Sequence, residues 1–190
     1  TKKGKRKKKK KNKGKTLTYH FKAPNVHDFM WAADPDYVHT KYKTAEGVLL
    51  HFFYQPNEKT TENWEKLPAA MNAALPFMNK HYGKYPYKEY FFIQGGDGGM
   101  EYPMGTLITG ERTFPSLVGV SIHEWMHSWY QMVLGTNEAL YAWMDEGFTS
   151  YISSSCGCVF CIYRTLSCVT QAISRELICA QMEESIYTKR

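Results

Sequence analysis

The chain has 190 residues, enough for one domain with a hydrophobic core, and its 43% hydrophobic and 15% aromatic content excludes an intrinsically disordered protein. Residues 1–15 contain 11 of the 24 Lys and Arg residues and no acid. The other residues carry 13 basic and 18 acidic side chains, which gives them a net charge of 13 − 18 = −5. This charge excludes a dedicated nucleic-acid-binding domain. No stretch reaches the roughly 18 apolar residues of a membrane-spanning helix. Because the chain begins with Thr, we expect it to be a piece of a longer protein.

Residues 1–15 are expected to be a solvated, flexible basic segment. Two interpretations of it remain open. It is either an arm for nucleic acid or an anionic membrane, or a surface loop of the parent protein, and we favour the loop. Nucleic acid is therefore not an expected partner.

The elements that follow are predicted mainly as strands. Residues 17–21 alternate between apolar and polar side chains, which predicts a half-buried strand. Residues 48–54 are rich in branched and aromatic side chains and predict a buried strand. Two further strands are predicted at residues 88–94, before a glycine-rich turn, and at residues 104–109.

A long helix is predicted between these strands, over residues 61–81, where apolar side chains recur near helical spacing. Pro68 and Pro76 lie inside it, and each removes a backbone hydrogen bond. We therefore expect this helix to be broken or kinked. A second, buried helix is predicted over residues 121–132.

Residues 123–127 read HEWMH and predict a metal site. On a helix, positions i and i+4 lie on one face, so His123 and His127 can direct two imidazoles at one ion, while Glu124 lies beside it. A catalytic zinc takes three protein ligands and leaves one position to water. The third ligand is predicted to be Glu146, with eighteen residues between it and the second histidine. Asp145 either orients a ligand or is an ordinary surface or capping acid.

This arrangement predicts hydrolytic chemistry. Zinc lowers the pKa of a bound water from about 15.7 to roughly 7, which makes a nucleophile available near neutral pH. Glu124 is predicted to act as general base and to pass the proton to the leaving amine. A structural zinc site has no use for such a base.

The motifs resemble those of the gluzincin zinc aminopeptidases, the aminopeptidase N-like family. HEWMH, followed by eighteen residues and then a glutamate, matches the zinc motif of that family. GGMEYP at residues 98–103 resembles its Gly-x-Met-Glu-Asn substrate motif, and DEGFT at residues 145–149 resembles its Asn-Glu-Gly-Phe-Ala. A bacterial branch with GGMEYP and HDFxWAADPDY, here residues 27–37, is the nearest in pattern.

The resemblance implies an α+β fold. Residues 16–56 would be the end of an N-terminal β-domain, and residues 57–155 a partial thermolysin-like catalytic domain. It also implies that the backbone of Gly98, Gly99 and Met100 lines the cleft as an edge strand and pairs with the substrate main chain. Glu101 would bind the free α-amine of a peptide substrate. The alternative for Glu101 is a salt-bridged surface acid.

The chain departs from the family pattern in two places. Tyr102 replaces the asparagine of the substrate motif. The family stabilises the oxyanion with a tyrosine roughly sixty residues beyond the glutamate ligand; Tyr163 and Tyr187 do not match that position.

All five cysteines follow residue 155, and an odd number at one end argues against a disulfide framework. The Cys-rich tail, residues 156–190, is either a second metal site built on Cys156, Cys158 and Cys161, or a truncated or frame-shifted end. We favour the second interpretation because a fourth ligand is missing. The other two cysteines are Cys168 and Cys179.

The sequence thus predicts a zinc metallopeptidase of aminopeptidase type with one Zn²⁺ per chain, acting on peptides with a free N-terminus. The alternative is a non-catalytic zinc-binding fragment or scaffold that lacks the oxyanion tyrosine. An anion-binding module led by the lysine-rich segment would leave the centre of the sequence unexplained. The resemblance implies an exported or envelope-associated protein.

Overall fold

The computed structural model describes residues 18–96 and 98–162, with side chains as far as residue 156, and confirms a mixed α+β fold. Its elements in chain order are β1 (Val38–Lys43), β2 (Leu49–Tyr54), α1 (Thr61–Tyr82), β3 (Glu89–Gly95), β4 (Gly99–Tyr102), β5 (Gly105–Thr109), α2 (Phe114–Met126), α3 (Gln131–Leu134), a π-helical turn (Trp143–Gly147) and α4 (Phe148–Ile162). None of the described helices is long and apolar enough to cross a bilayer.

The strands form one sheet in the order β1-β2-β3-β5-β4. β2, β3 and β5 are parallel to one another, while β1 and β4 pair antiparallel at the two edges. Strands on both sides of residue 56 therefore belong to the same sheet. The domain boundary predicted at that residue does not coincide with a break in the sheet.

The core lies between one face of the sheet and the helices. Side chains alternate across a strand, so Phe52 and Phe92 project to the same face, where their rings stack at 5.0 Å. Trp64 of α1 stacks on Tyr54, and Trp125 of α2 packs edge-on against Phe92. Helix α2, which carries the HEWMH motif, is thereby held against the sheet by its buried tryptophan.

Three predicted strands are confirmed as β2, β3 and β5, whereas the predicted strand at residues 17–21 is wrong. Residues 18–23 have no regular structure, and Tyr19 and Phe21 are more than two-thirds exposed. The alternating pattern is present, but these residues pair with none of the described strands. The sequence analysis did not identify β1.

Helix α1 is continuous across both prolines, so the predicted break is absent. Six apolar side chains on one face of α1 are completely buried, and this packing stabilises the helix despite two missing hydrogen bonds. Pro76 is exposed and Pro68 is half-buried. The second predicted helix lies earlier in the chain than expected: α2 spans Phe114–Met126, and a turn separates it from the short α3.

The tail is described only in part. Cys156 is a free thiol buried in the core, and burial raises its pKa to about 12, so it is a poor metal ligand where it lies. The structure does not describe the side chains of the other four cysteines, of Tyr163 or of Tyr187, nor the basic segment at residues 1–15.

A histidine pair lies on the sheet face opposite the helices. His39 Nε2 is 3.0 Å from His51 Nδ1, and His51 Nε2 is 3.3 Å from a carboxylate oxygen of Glu89. His51 is buried and stacks on Phe91. Burial lowers the pKa of His51 and outweighs the opposing effect of Glu89, while His39 and Lys41 lower it further.

We expect this pair to make folding stability depend on pH. Because the pKa of His51 is lower in the folded than in the unfolded chain, the unfolded state binds more protons, and stability falls as the pH drops below about 6.5. In His51→Gln, the decrease in the urea midpoint from about pH 7 to about pH 5.5 should be smaller than in wild type. The exposed His20→Gln serves as control, and an equal decrease in all three proteins would contradict the prediction.

Candidate metal centre

Two neighbouring elements supply the three predicted ligands. His123 lies on α2 and His127 directly follows it with helical backbone angles, so both rings lie on one face, as predicted. Glu146 comes from the π-helical turn. His123 Nε2 is 3.3 Å from His127 Nε2 and 3.2 Å from Glu146 Oε2, and His127 Nε2 is 3.9 Å from Glu146 Oε1. These three side chains form a group that can hold a metal ion.

The separations between these ligand atoms suit a tetrahedral ion. Atoms bound to zinc at about 2.0–2.2 Å in a tetrahedron lie roughly 3.3–3.5 Å from one another. The separations of His123 Nε2 from His127 Nε2 and from Glu146 Oε2, 3.3 and 3.2 Å, are close to that edge length. The other carboxylate oxygen, Oε1, lies 3.9 Å from His127 Nε2.

Hydrogen bonds on the far side of each ring orient the two histidines. The Nδ1 of His127 lies 2.5 Å from Oδ1 of Asp145, and an ionised carboxylate only accepts, so this nitrogen carries the proton. The Nδ1 of His123 lies 3.4 Å from Oγ of Ser153, whose own proton is donated to the Ser150 carbonyl at 3.2 Å. The Nε2 lone pair of His127 therefore remains available to a cation, and Nε2 of His123, which is hydrogen-bonded to Oε2 of Glu146, faces the same place.

The π-helical turn places two consecutive acids on different sides of one histidine. Asp145 is buried and binds Nδ1 of His127, while Glu146 approaches the Nε2 side. Such turns occur often at functional sites because they change the direction of adjacent side chains. Of the two interpretations left open by the sequence, the structure supports Asp145 as the residue that orients a ligand.

The protonation of this group reflects the surrounding carboxylates. Burial lowers the pKa of His127, but its hydrogen bond to Asp145 and the charges of Glu101, Asp145 and Glu146 together raise the pKa above its ordinary value. The hydrogen bond from His123 lowers the pKa of Glu146. Negative charge thus surrounds the two imidazoles, which favours a bound cation.

Glu124 lies beside the ligand group and is not part of it. It is 5% exposed, and its Oε2 is buried without a hydrogen-bond partner among the described residues. Burial raises its pKa to about 7, with His123 and His127 acting in the opposite direction. A buried, unpaired carboxylate oxygen costs free energy unless a ligand, a water or an ion meets it.

Strand β4 brings the predicted substrate motif to the same place. The Glu101 carboxylate is half-buried and its oxygen lies within 4.8 Å of ligand atoms of His127 and Asp145. Burial raises the pKa of Glu101, and His127 opposes that effect. Gly99 and Met100 lie in the edge strand β4, and Gly98 directly precedes it.

Gly99 makes the closest approach between β4 and α2. A Cβ atom added to this glycine would lie 2.3 Å from Oε1 of Glu124 and 2.9 Å from Val120 Cγ2. Any larger residue would push the strand away from the helix or displace the carboxylate. The glycine is therefore required by steric contact with Glu124.

The sequence analysis missed three residues at this site. Ser153 lies seven positions after Glu146, two helical turns along, and that spacing could have identified it. Thr149, completely buried, has its hydroxyl 3.4 Å from Nδ1 of His127. Arg112 contacts the Gly98 carbonyl, and no pattern in the sequence indicates this contact.

Comparisons with protein-family models and with curated proteins find no match to this chain. The resemblance to gluzincin aminopeptidases therefore stays a prediction. The ligand group itself limits the choice of metal. Two imidazole nitrogens and one carboxylate suit a transition metal such as zinc, whereas Mg²⁺ and Ca²⁺ prefer all-oxygen sites.

We expect the purified chain to bind about one zinc ion, and His123→Ala or Glu146→Ala to lose it, because two protein ligands hold zinc weakly. Elemental analysis after dialysis measures the metal. Chelation should lower the melting temperature of the wild type, since the ion stabilises only the folded state. His81→Ala, at an exposed position on α1, is the matched control; loss of zinc there, or retention in both ligand variants, would contradict the assignment.

Proposed function

We propose that this chain carries the zinc-binding and catalytic centre of a gluzincin metallopeptidase of aminopeptidase type. The observation that carries the proposal is the buried Glu124 carboxylate, unpaired, beside a three-residue group that can hold a metal. A zinc site that serves only structure is closed by four protein ligands and needs no adjacent base. The edge strand β4 beside helix α2 supports a thermolysin-like catalytic domain.

Zinc held by His123, His127 and Glu146 would supply Lewis-acid chemistry, activating water and polarising a peptide carbonyl. Glu124 accepts a proton from the attacking water and delivers it to the leaving amine. Its pKa of about 7 belongs to the metal-free site, and a nearby dication lowers it. Glu124 is therefore ionised and ready to accept a proton at neutral pH.

The aminopeptidase assignment depends on Glu101 and β4. Among the described residues the strand pairs with β5 alone, so its other edge can bind the main chain of an extended peptide. The half-buried Glu101 carboxylate, close to His127, provides a negative charge that a protonated α-amine would neutralise. A peptide bound in this way presents its first peptide bond to the site.

We expect Glu124→Gln to retain zinc and to lose hydrolysis. The amide has the same shape but cannot accept the proton, so kcat should fall by about 10²–10⁴-fold on a chromogenic amino-acid anilide. Zinc content and melting temperature, measured on the same samples, should stay close to wild type. Glu65→Gln, on the exposed face of α1, is the control. Full activity of the Glu124 variant would remove this residue from its role.

We also expect a strong preference for a free N-terminus. The chain should cleave an amino-acid anilide at least about tenfold faster than its N-acetylated form, because an acetylated amine cannot pair with Glu101. Glu101→Gln should reduce this ratio towards one. Equal rates on both substrates in wild type would defeat amine recognition. Zinc binding without cleavage of either would favour the non-catalytic alternative.

A further inference from the structure

We propose that Arg112 is a positioning residue that ties the substrate strand β4 to the helix that carries Glu124. This inference rests on the proposed function and adds to it a residue outside the zinc and substrate motifs. Arg112 lies in the loop between β5 and α2, two residues before that helix begins. It therefore stands where the chain leaves the sheet and enters the catalytic helix.

The Arg112 side chain joins the two elements directly. One guanidinium nitrogen, Nη2, donates a hydrogen bond to the Gly98 carbonyl, at the residue just before β4. The other, Nη1, donates to Oγ of Ser116 on α2 at 3.1 Å. A planar guanidinium holds two acceptors in a fixed relative orientation, which a lysine ammonium cannot reproduce.

The backbone of Arg112 is itself held on both sides. Its N–H donates to the Gly110 carbonyl at 3.1 Å, and its carbonyl accepts a hydrogen bond from Nδ2 of Asn63 on α1 at 2.8 Å. Trp64, next to Asn63, donates from Nε1 to the same Gly110 carbonyl at 3.2 Å and is completely buried. The guanidinium thus extends from a fixed point of the core.

Strand β4 is short and lies at the edge of the sheet, so the Arg112 tie adds to its pairing with β5 and to the hydrogen bond from Thr106 Oγ1 to the Met100 carbonyl at 2.9 Å. It has four residues, pairs among the described strands with β5 alone, and follows a glycine-rich segment. At the same time its position must be accurate, since Gly99 lies in contact with the Glu124 carboxylate. A shift of the strand would open this contact and move the Glu101 carboxylate away from the site.

Glu124 and the zinc ligands do not depend on the same tie. Helix α2 packs on the sheet through buried Trp125, and the Tyr90 hydroxyl donates to the Glu124 carbonyl at 3.1 Å. Removal of the guanidinium should therefore weaken substrate binding along β4 while the base stays in place. The expected signature is a higher KM with nearly unchanged kcat.

The test compares Arg112→Ala, Arg112→Lys and Ser116→Ala with wild type as zinc-loaded proteins on the amino-acid anilide. For Arg112→Ala we expect KM to rise by about tenfold and kcat to change by less than about twofold, the loss typical of a charge-assisted hydrogen bond. The KM of Arg112→Lys should lie between the values of Arg112→Ala and wild type. Ser116→Ala is the mild variant if Arg112→Ala fails to fold, and its KM should rise by about two- to threefold. Lys59→Ala, which removes a nearby exposed charge paired with Glu111, should change neither constant.

A second measurement is independent of activity. Amide hydrogen exchange of β4 should be faster in Arg112→Ala than in wild type, with exchange in α2 and zinc content unchanged. A lower kcat with unchanged KM, or wild-type exchange in β4, would overturn the proposal. If wild type hydrolyses nothing, the proposed function fails, and exchange in β4 alone still decides whether Arg112 holds the strand.

Discussion

The hydrogen bond between His127 and Asp145 is the interaction on which the rest of the site depends. Both side chains are buried, so neither exchanges this partner for water at low cost. The bond sets the tautomer of the ring and leaves its other nitrogen available to a metal. It also attaches the π-helical turn to the end of α2, and this attachment brings Glu146 within reach of His123. This one contact thus determines the orientation of the His127 ring, the distance between Glu146 and His123, and the position of the π-helical turn.

The electrostatics of the site follow from a concentration of negative charge. Four carboxylates, those of Glu101, Glu124, Asp145 and Glu146, surround two imidazoles in a partly buried space. Two of these acids have raised pKa values because burial disfavours their charged form. A dication lowers the free energy of all four in their ionised state. Under the proposed function, the same charge distribution would favour the cationic end of a peptide at Glu101, so the metal and the substrate would be attracted by a common feature.

The ligand set could be predicted from the sequence because it depends on short, regular spacings. His123 and His127 share a helix face by geometry alone, and the structure brings Glu146 to them. The strands β2, β3 and β5 were predictable for a similar reason, since buried strands are rich in branched and aromatic residues. Local composition was sufficient to predict these elements because their patterns match the surroundings that they have in the fold.

The remaining features depend on contacts between distant residues. The alternation near Tyr19 and Phe21 fits a strand, yet a strand also requires a partner at the sheet edge, which the sequence does not show. Packing against the sheet overrides the effect of two prolines in α1, which local rules treat as a break. The π-helical turn and the contact from Arg112 to Gly98 are likewise products of the tertiary fold.

The chain's own geometry also limits what metal binding must do: His127 and Asp145 are separated by only 18 positions. Closing a loop of this length costs less entropy than closing a longer one, since each doubling of its length would add about 0.6 kcal/mol. A metal bound at this group would therefore act on residues that are already close along the chain, and more of its binding free energy would remain for holding the ligands than at a site formed from distant segments.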